Sequence, residues 1–119
     1  MHFTLENRDN IAVFSLLNEN IGDNISSQLK AKILIVAQPD IDALIVDLSR
    51  VASIDSSGLG ALLLAHRQLQ ENAIPVILVG VQSFVRSLMN MTRIEELFEF
   101  YDTVQEALEA LEETEAGDD

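Results

Sequence analysis

Apolar residues along this chain fall in two rhythms: short continuous runs, and stripes at helical spacing. Runs read as strands and stripes as helices, because side chains repeat every second residue in the first and about every 3.6 in the second. Phe3 to Glu6 and Ile11 to Leu17, split by the turn-prone Asn7-Arg8-Asp9-Asn10, predict an N-terminal β-hairpin. The second run is apolar at most positions, which places it inside a sheet. Asn18 to Asn24 reads as a loop. Asp23 or Asn24 then caps a helix through about Val36, with Ile25, Leu29, Ile33 and Val36 (or Leu34) on its apolar side. Gln28, Lys30 and Lys32 take the other side, and Pro39-Asp40 ends it.

Ala43 to Leu48 is apolar on both faces, as a strand covered by helices should be. The next helix runs from about Leu59 to Gln70 with the stripe Leu59, Leu62, Leu63, His66 and Leu69. Val76 to Val79 is a second apolar strand, closed by Gly80. A helix from about Ser83 to Asn90 turns Phe84, Val85, Leu88 and Met91 inward. A short strand follows near Leu97 to Tyr101, and Thr103 caps a last helix carrying Val104, Ala107, Leu108 and Leu111. Strands alternating with helices call for crossover connections and parallel pairing, and the hairpin adds an antiparallel pair. The fold class is therefore α/β, a mixed but mainly parallel central sheet of about five strands, with about four helices mainly on one face.

Composition narrows the picture. At 119 residues the chain is a single domain, which we bound at residues 1–112, leaving 113–119 as an acidic tail with nothing to bury. The net charge of −13 repels phosphate backbones and anionic lipid, so nucleic acid and membrane are not the expected partners. A partner with a basic face suits this surface better. No apolar run is long enough to span a bilayer, and the N-terminus lacks a basic-then-apolar signal pattern. With no cysteine in the chain, disulfides and thiol catalysis are excluded, and the cytoplasm is the expected compartment.

The chemistry concentrates at Asp55-Ser56-Ser57-Gly58-Leu59-Gly60, where a strand hands over to a helix. The first N–H groups of a helix lack partners within it, and the aligned peptide dipoles make that end partly positive. A Ser here can cap the helix, and once phosphorylated would hold its anion where donors already point. The same residue types also suit any strand-to-helix turn. Enzymatic readings fail on inventory. His2 and His66 are far apart, no G-x-S-x-G elbow is present, and Gly58-Leu59-Gly60 is not followed by the Lys of a phosphate loop. Neighbouring carboxylates such as Glu95 and Glu96 point apart and read as solvated. Neither a metal nor a cofactor is expected.

Asp47-Leu48-Ser49-Arg50-Val51 followed by Ile54-Asp55-Ser56-Ser57-Gly58-Leu59 resembles the signature of the STAS family, the bacterial anti-sigma factor antagonists. Pro75 to Gly80 matches that family's next strand, and Val85 to Met89 with Ile94 and Leu97 its following segment, so the likeness covers nearly the whole chain. The resemblance implies a STAS-like fold and a partner-switching function. Such an antagonist binds an anti-sigma factor that is also a serine kinase, is phosphorylated by it and released, and is restored by a serine phosphatase.

Carried onto this chain, the resemblance makes Ser56 the phosphoacceptor and Asp55, Ser56, Ser57, Gly58 and Leu59 the partner-binding residues. Gly58 would admit the kinase backbone or nucleotide. The family's G-E-L-D loop is altered here to Glu19-Asn20-Ile21-Gly22, with Asp23 one residue late; Asp23 is carried as a partner-binding residue with that displacement. A monomer is expected, with Phe98, Phe100 and Tyr101 exposed and available for a weak dimer. The alternative is a non-switching STAS scaffold or ligand-binding component of a transporter or lipid-transport complex.

Overall fold

A computed structural model describes residues 1–117. In chain order the elements are β1 (Phe3–Arg8), β2 (Ile11–Leu16), β3 (Asn20–Ile21), α1 (Asp23–Val36), β4 (Ala43–Asp47), β5 (Ser53–Ile54), α2 (Ser56–Gln70), β6 (Val76–Val79), α3 (Ser83–Met91), β7 (Glu99–Tyr101) and α4 (Val104–Gly117). A 3₁₀ turn, Glu95–Leu97, precedes β7.

The two most apolar runs, β4 and β6, sit together in the middle of a five-stranded sheet ordered β1-β2-β4-β6-β7. Only β1 pairs antiparallel, joined to β2 by a hairpin whose Asp9 and Asn10 both take positive φ, the backbone a tight two-residue turn requires. All other pairs in this sheet are parallel. Alternation along the strands divides the core in two. Ala12, Phe14, Leu16, Leu44, Val46, Val76 and Leu78 face α1, α2 and α3, while Val13, Ile45, Ile77 and Val79 face α4. Three helices thus share one face and the fourth lies alone on the other. Where β6 ends, Gly80 adopts φ +67°, and a Cβ there would lie 2.6 Å from Ser49 Cβ. Glycine is what lets that turn run against the loop after β4.

Several local expectations shift. The loop at 18–24 and the loop after β4 each contain a two-residue strand, β3 and β5, and these pair parallel as a separate small sheet. Gly22, rather than Asp23 or Asn24, is the N-cap of α1, and no side chain caps it. In α3 the core takes Val85 and Met89, four apart, leaving Phe84 and Met91 largely exposed. Both stripes have helical spacing, and only packing chooses between them. Leu97 belongs to the 3₁₀ turn and is exposed.

The aromatic cluster beyond α3 is not an open surface. Phe98 is buried and meets His66 edge-on at 6.1 Å, Phe100 and Tyr101 are half-buried, and the Arg86 guanidinium stacks 3.6 Å over Phe100. The exposed face expected there for a weak dimer is absent. Thr103 caps α4 as expected, its Oγ1 accepting from the Glu106 N–H at 3.1 Å. That helix continues through Gly117, past the apolar stripe that ends at Leu111. Residues 118–119 of the expected acidic tail lie outside the described residues.

Candidate functional site

The helix α2 begins three residues earlier than the apolar stripe indicates, and Asp55 is the reason. Its Oδ1 accepts from the Ser57 N–H at 3.0 Å, the Gly58 N–H at 3.1 Å and the Ser57 hydroxyl at 2.5 Å. Its carbonyl accepts the Leu59 N–H at 3.0 Å. An aspartate N-cap satisfies donors that the helix cannot and sets a negative charge against the positive end of the dipole. The cap is therefore Asp55 and not a serine. The Ser57 hydroxyl foremost, then the Gly58 N–H, hold the Asp55 carboxyl below its ordinary value of 3.8.

This arrangement separates the two serines. Ser57 is half-buried and its hydroxyl is committed to Asp55. Ser56, the first helical residue, is exposed, and among the described residues its hydroxyl makes no hydrogen bond. Gly58 is buried. A Cβ there would come within 2.5 Å of Ile54 Cγ1 and 2.9 Å of Ile21 Cγ2. The missing side chain makes room for the small sheet beneath the helix, which corrects the expectation that it admits a partner's backbone or nucleotide.

The small sheet fixes where the site sits. Ala52 and Ser53 donate their N–H groups to the Glu19 carbonyl at 2.7 and 3.1 Å, and the Asp55 N–H donates to the Ile21 carbonyl at 3.1 Å. The Ser53 hydroxyl donates to Asn20 Oδ1 at 2.5 Å. These bonds bring the start of α1 alongside Asp55. A Cβ on Gly22 would stand 3.3 Å from Asp55 Oδ2, and the Asp23 N–H adds slightly to the stabilisation of that carboxylate. Asp23, expected at the site from sequence, is thus adjacent to it, with an exposed side chain.

On the other side of Ser56 lies an open, mostly apolar groove of about 170 Å³, lined by Ser56, Leu59, Gly60, Leu63, Thr92 and Ile94. Leu59 is 7% exposed and forms part of this lining more than of the free surface. Thr92 and Ile94 were not singled out as site residues from sequence, because they arrive from the turn after α3 and nothing local marks them. Among the described residues there is no cluster of His, Cys, Asp or Glu suited to a metal ion, and no helix is long and apolar enough to cross a membrane.

The profile of the STAS domain matches residues 2–107. The chain belongs to the STAS domain family. An anti-sigma factor antagonist from Mycobacterium paratuberculosis is 26% identical, with a TM-score of 0.80 over 92% of this chain and 92% of its own. An anti-sigma-factor antagonist (STAS) domain protein from Planctomyces limnophilus is 21% identical, with a TM-score of 0.84 over 91% of this chain and 95% of its own. The Bacillus cell fate determinant SpoIIAA in its phosphorylated form is 24% identical, with a TM-score of 0.73 over 92% and 99%. The STAS fold thus carries, in these neighbours, anti-sigma factor antagonists, one of them solved in a phosphorylated state.

Proposed function

We propose that this STAS domain is an anti-sigma factor antagonist that works by partner switching, with Ser56 as its phosphoacceptor. One observation carries the reading: of the two adjacent serines, Ser56 presents an exposed hydroxyl with no partner among the described residues, while Asp55 holds Ser57. Bare Ser56 is a small neutral surface at the mouth of an apolar groove, and an anti-sigma factor serine kinase covers it together with Asp55, Ser57, Leu59 and Asp23. Within that contact the kinase transfers the γ-phosphoryl group of ATP. The bond from phosphorus to Ser56 Oγ forms as the bond to the ADP oxygen breaks, and the hydroxyl proton leaves to a base on the kinase.

The phosphoserine carries roughly −1.5 to −2 charges at neutral pH. Asp55 already occupies the Ser57 and Gly58 donors, so these do not host the new anion, which stands beside an existing carboxylate at the proposed contact. A hundredfold loss of affinity requires roughly 3 kcal/mol, which a doubly charged group in the middle of a contact readily supplies. A serine phosphatase then restores the binding form.

Titration calorimetry with the anti-sigma factor kinase of the same organism tests this. Wild type should bind, and Ser56→Asp should bind at least tenfold more weakly. Equal affinities would instead support a non-switching scaffold serving a transporter or lipid-transport complex.

A further inference from the structure

A phosphate on Ser56 needs a counter-charge, and Asp55 has already taken the Ser57 and Gly58 N–H donors of the helix end. The chain as a whole is no help, with 7 Lys and Arg against 20 Asp and Glu. A cation is nevertheless in position. Lys30, on α1, places its Nζ 4.0 Å from where a Cβ on Gly60 would be. Gly60 follows Ser56 by one helical turn, so the two share a face of α2, with Cβ positions about 5–6 Å apart in such a pair.

Two other cations are engaged elsewhere. Lys32 lies 4.9 Å over the Phe3 ring, and Arg86 pairs with Glu95 at 2.7 Å. Lys30 is exposed and, among the described residues, makes no salt bridge or hydrogen bond.

We infer that Lys30 is the built-in counter-ion of phosphorylated Ser56, drawing the phosphate back along α2 over the bare surface of Gly60. The absent side chain at Gly60 leaves room for the pair, and the flexible four-carbon stem of lysine spans the remaining distance by rotamer change. Gly60, like Ser56, lines the groove, so the phosphate stays at its edge and charges the contact there. The inference rests on Ser56 as phosphoacceptor and adds the residue that positions the modification.

The other charged groups on the segments that flank Ser56 are Asp55 at the helix cap, Asp23 at the start of α1, Glu19 before β3, and Arg93 in the turn between the groove residues Thr92 and Ile94. The acids raise the second ionisation of the phosphate. Lys30 lowers it, and Arg93 is a second candidate for doing so.

The test uses full-length protein with phosphoserine inserted at position 56 during translation, so its result does not depend on any kinase. Phosphorus NMR titration at low ionic strength should give a second phosphate pKa about 0.3–0.6 units higher in Lys30→Gln than in wild type. The difference should shrink in 1 M salt. Lys30→Arg should stay at the wild-type value. Lys32→Gln, which removes the same charge from the same helix, should shift the pKa by less than half as much. Equal pKa values in wild type and Lys30→Gln overturn the inference, as does an equal shift in Lys32→Gln or in Arg93→Gln. Failure of Ser56 as phosphoacceptor would appear separately, as a kinase that labels another residue.

Discussion

Two sheets, one mixed and one parallel, are built on different terms. The five-stranded sheet holds itself by area: Leu44, Ile45, Ile77 and Leu78 are at most 1% exposed, and helices cover both faces. The β3–β5 sheet has two residues per strand, with only Ile21 and Ile54 buried. A few hydrogen bonds and the bare Gly58 hold it against α2. One sheet supplies stability, and the other supplies position. Asp55 and Ser56 sit at the end of the weaker one, so the site can be disturbed while the body of the fold remains intact.

The largest expected effect falls on the main sheet. Leu78→Ala should cost about 2–5 kcal/mol in denaturant unfolding, through lost burial and the cavity left behind. Were Leu78→Ala nearly neutral, the division of labour between the sheets would be wrong. Next come two glycines on one helix with opposite signs. Gly58→Ala should destabilise by about 1–3 kcal/mol, because its Cβ meets Ile54 and Ile21. Gly60→Ala meets only the end of Lys30 and should stabilise by about 0.5–1 kcal/mol, as alanine does in an open helical position. Equal effects from the two would mean that the small sheet does not press on α2.

The smallest effect is on the cap, and pH resolves it. Asp55 is held below its ordinary value of 3.8 by Ser57 and Gly58, so its contribution is complete above that value and is lost as pH falls through the lower folded-state pKa. Asp55→Ala should therefore melt below wild type at pH 7, and the gap should close only when the pH drops below 3.8. A gap unchanged at acid pH would mean that the carboxylate charge is not what caps α2.

The contrast between the sheets also explains what could be read from the sequence. β4 and β6 are continuous apolar runs, and α1 and α2 carry clear stripes, so the main layers follow from periodicity. Strands of two residues have no period, so β3 and β5 read as loop. The apolar stripe starts α2 only at about Leu59, since Ser56, Ser57 and Gly58 carry no stripe; the aspartate cap extends the helix back over them. Phe84 and Met91 were assigned to the core because α3 offers two stripes, and Val85 and Met89 were the pair the sheet accepted. Phe98 was taken as exposed because its partner His66 lies on another helix. The acidic tail expected from residue 113 begins where apolar residues run out, although Glu and Ala continue a helix well without burial. Ser56, the proposed acceptor, is marked in the sequence by its motif. The proximity of Lys30 was not, since it exists only once α1 packs against α2.

The central claim is that Asp55 leaves one serine free and holds the other. Incubating the protein with its anti-sigma factor kinase and ATP, then mapping phosphate by mass spectrometry, tests it most directly. The account predicts one phosphate per chain on Ser56, absent in Ser56→Ala and retained in Ser57→Ala. Labelling of Ser57, or equal labelling of wild type and Ser56→Ala, would contradict it.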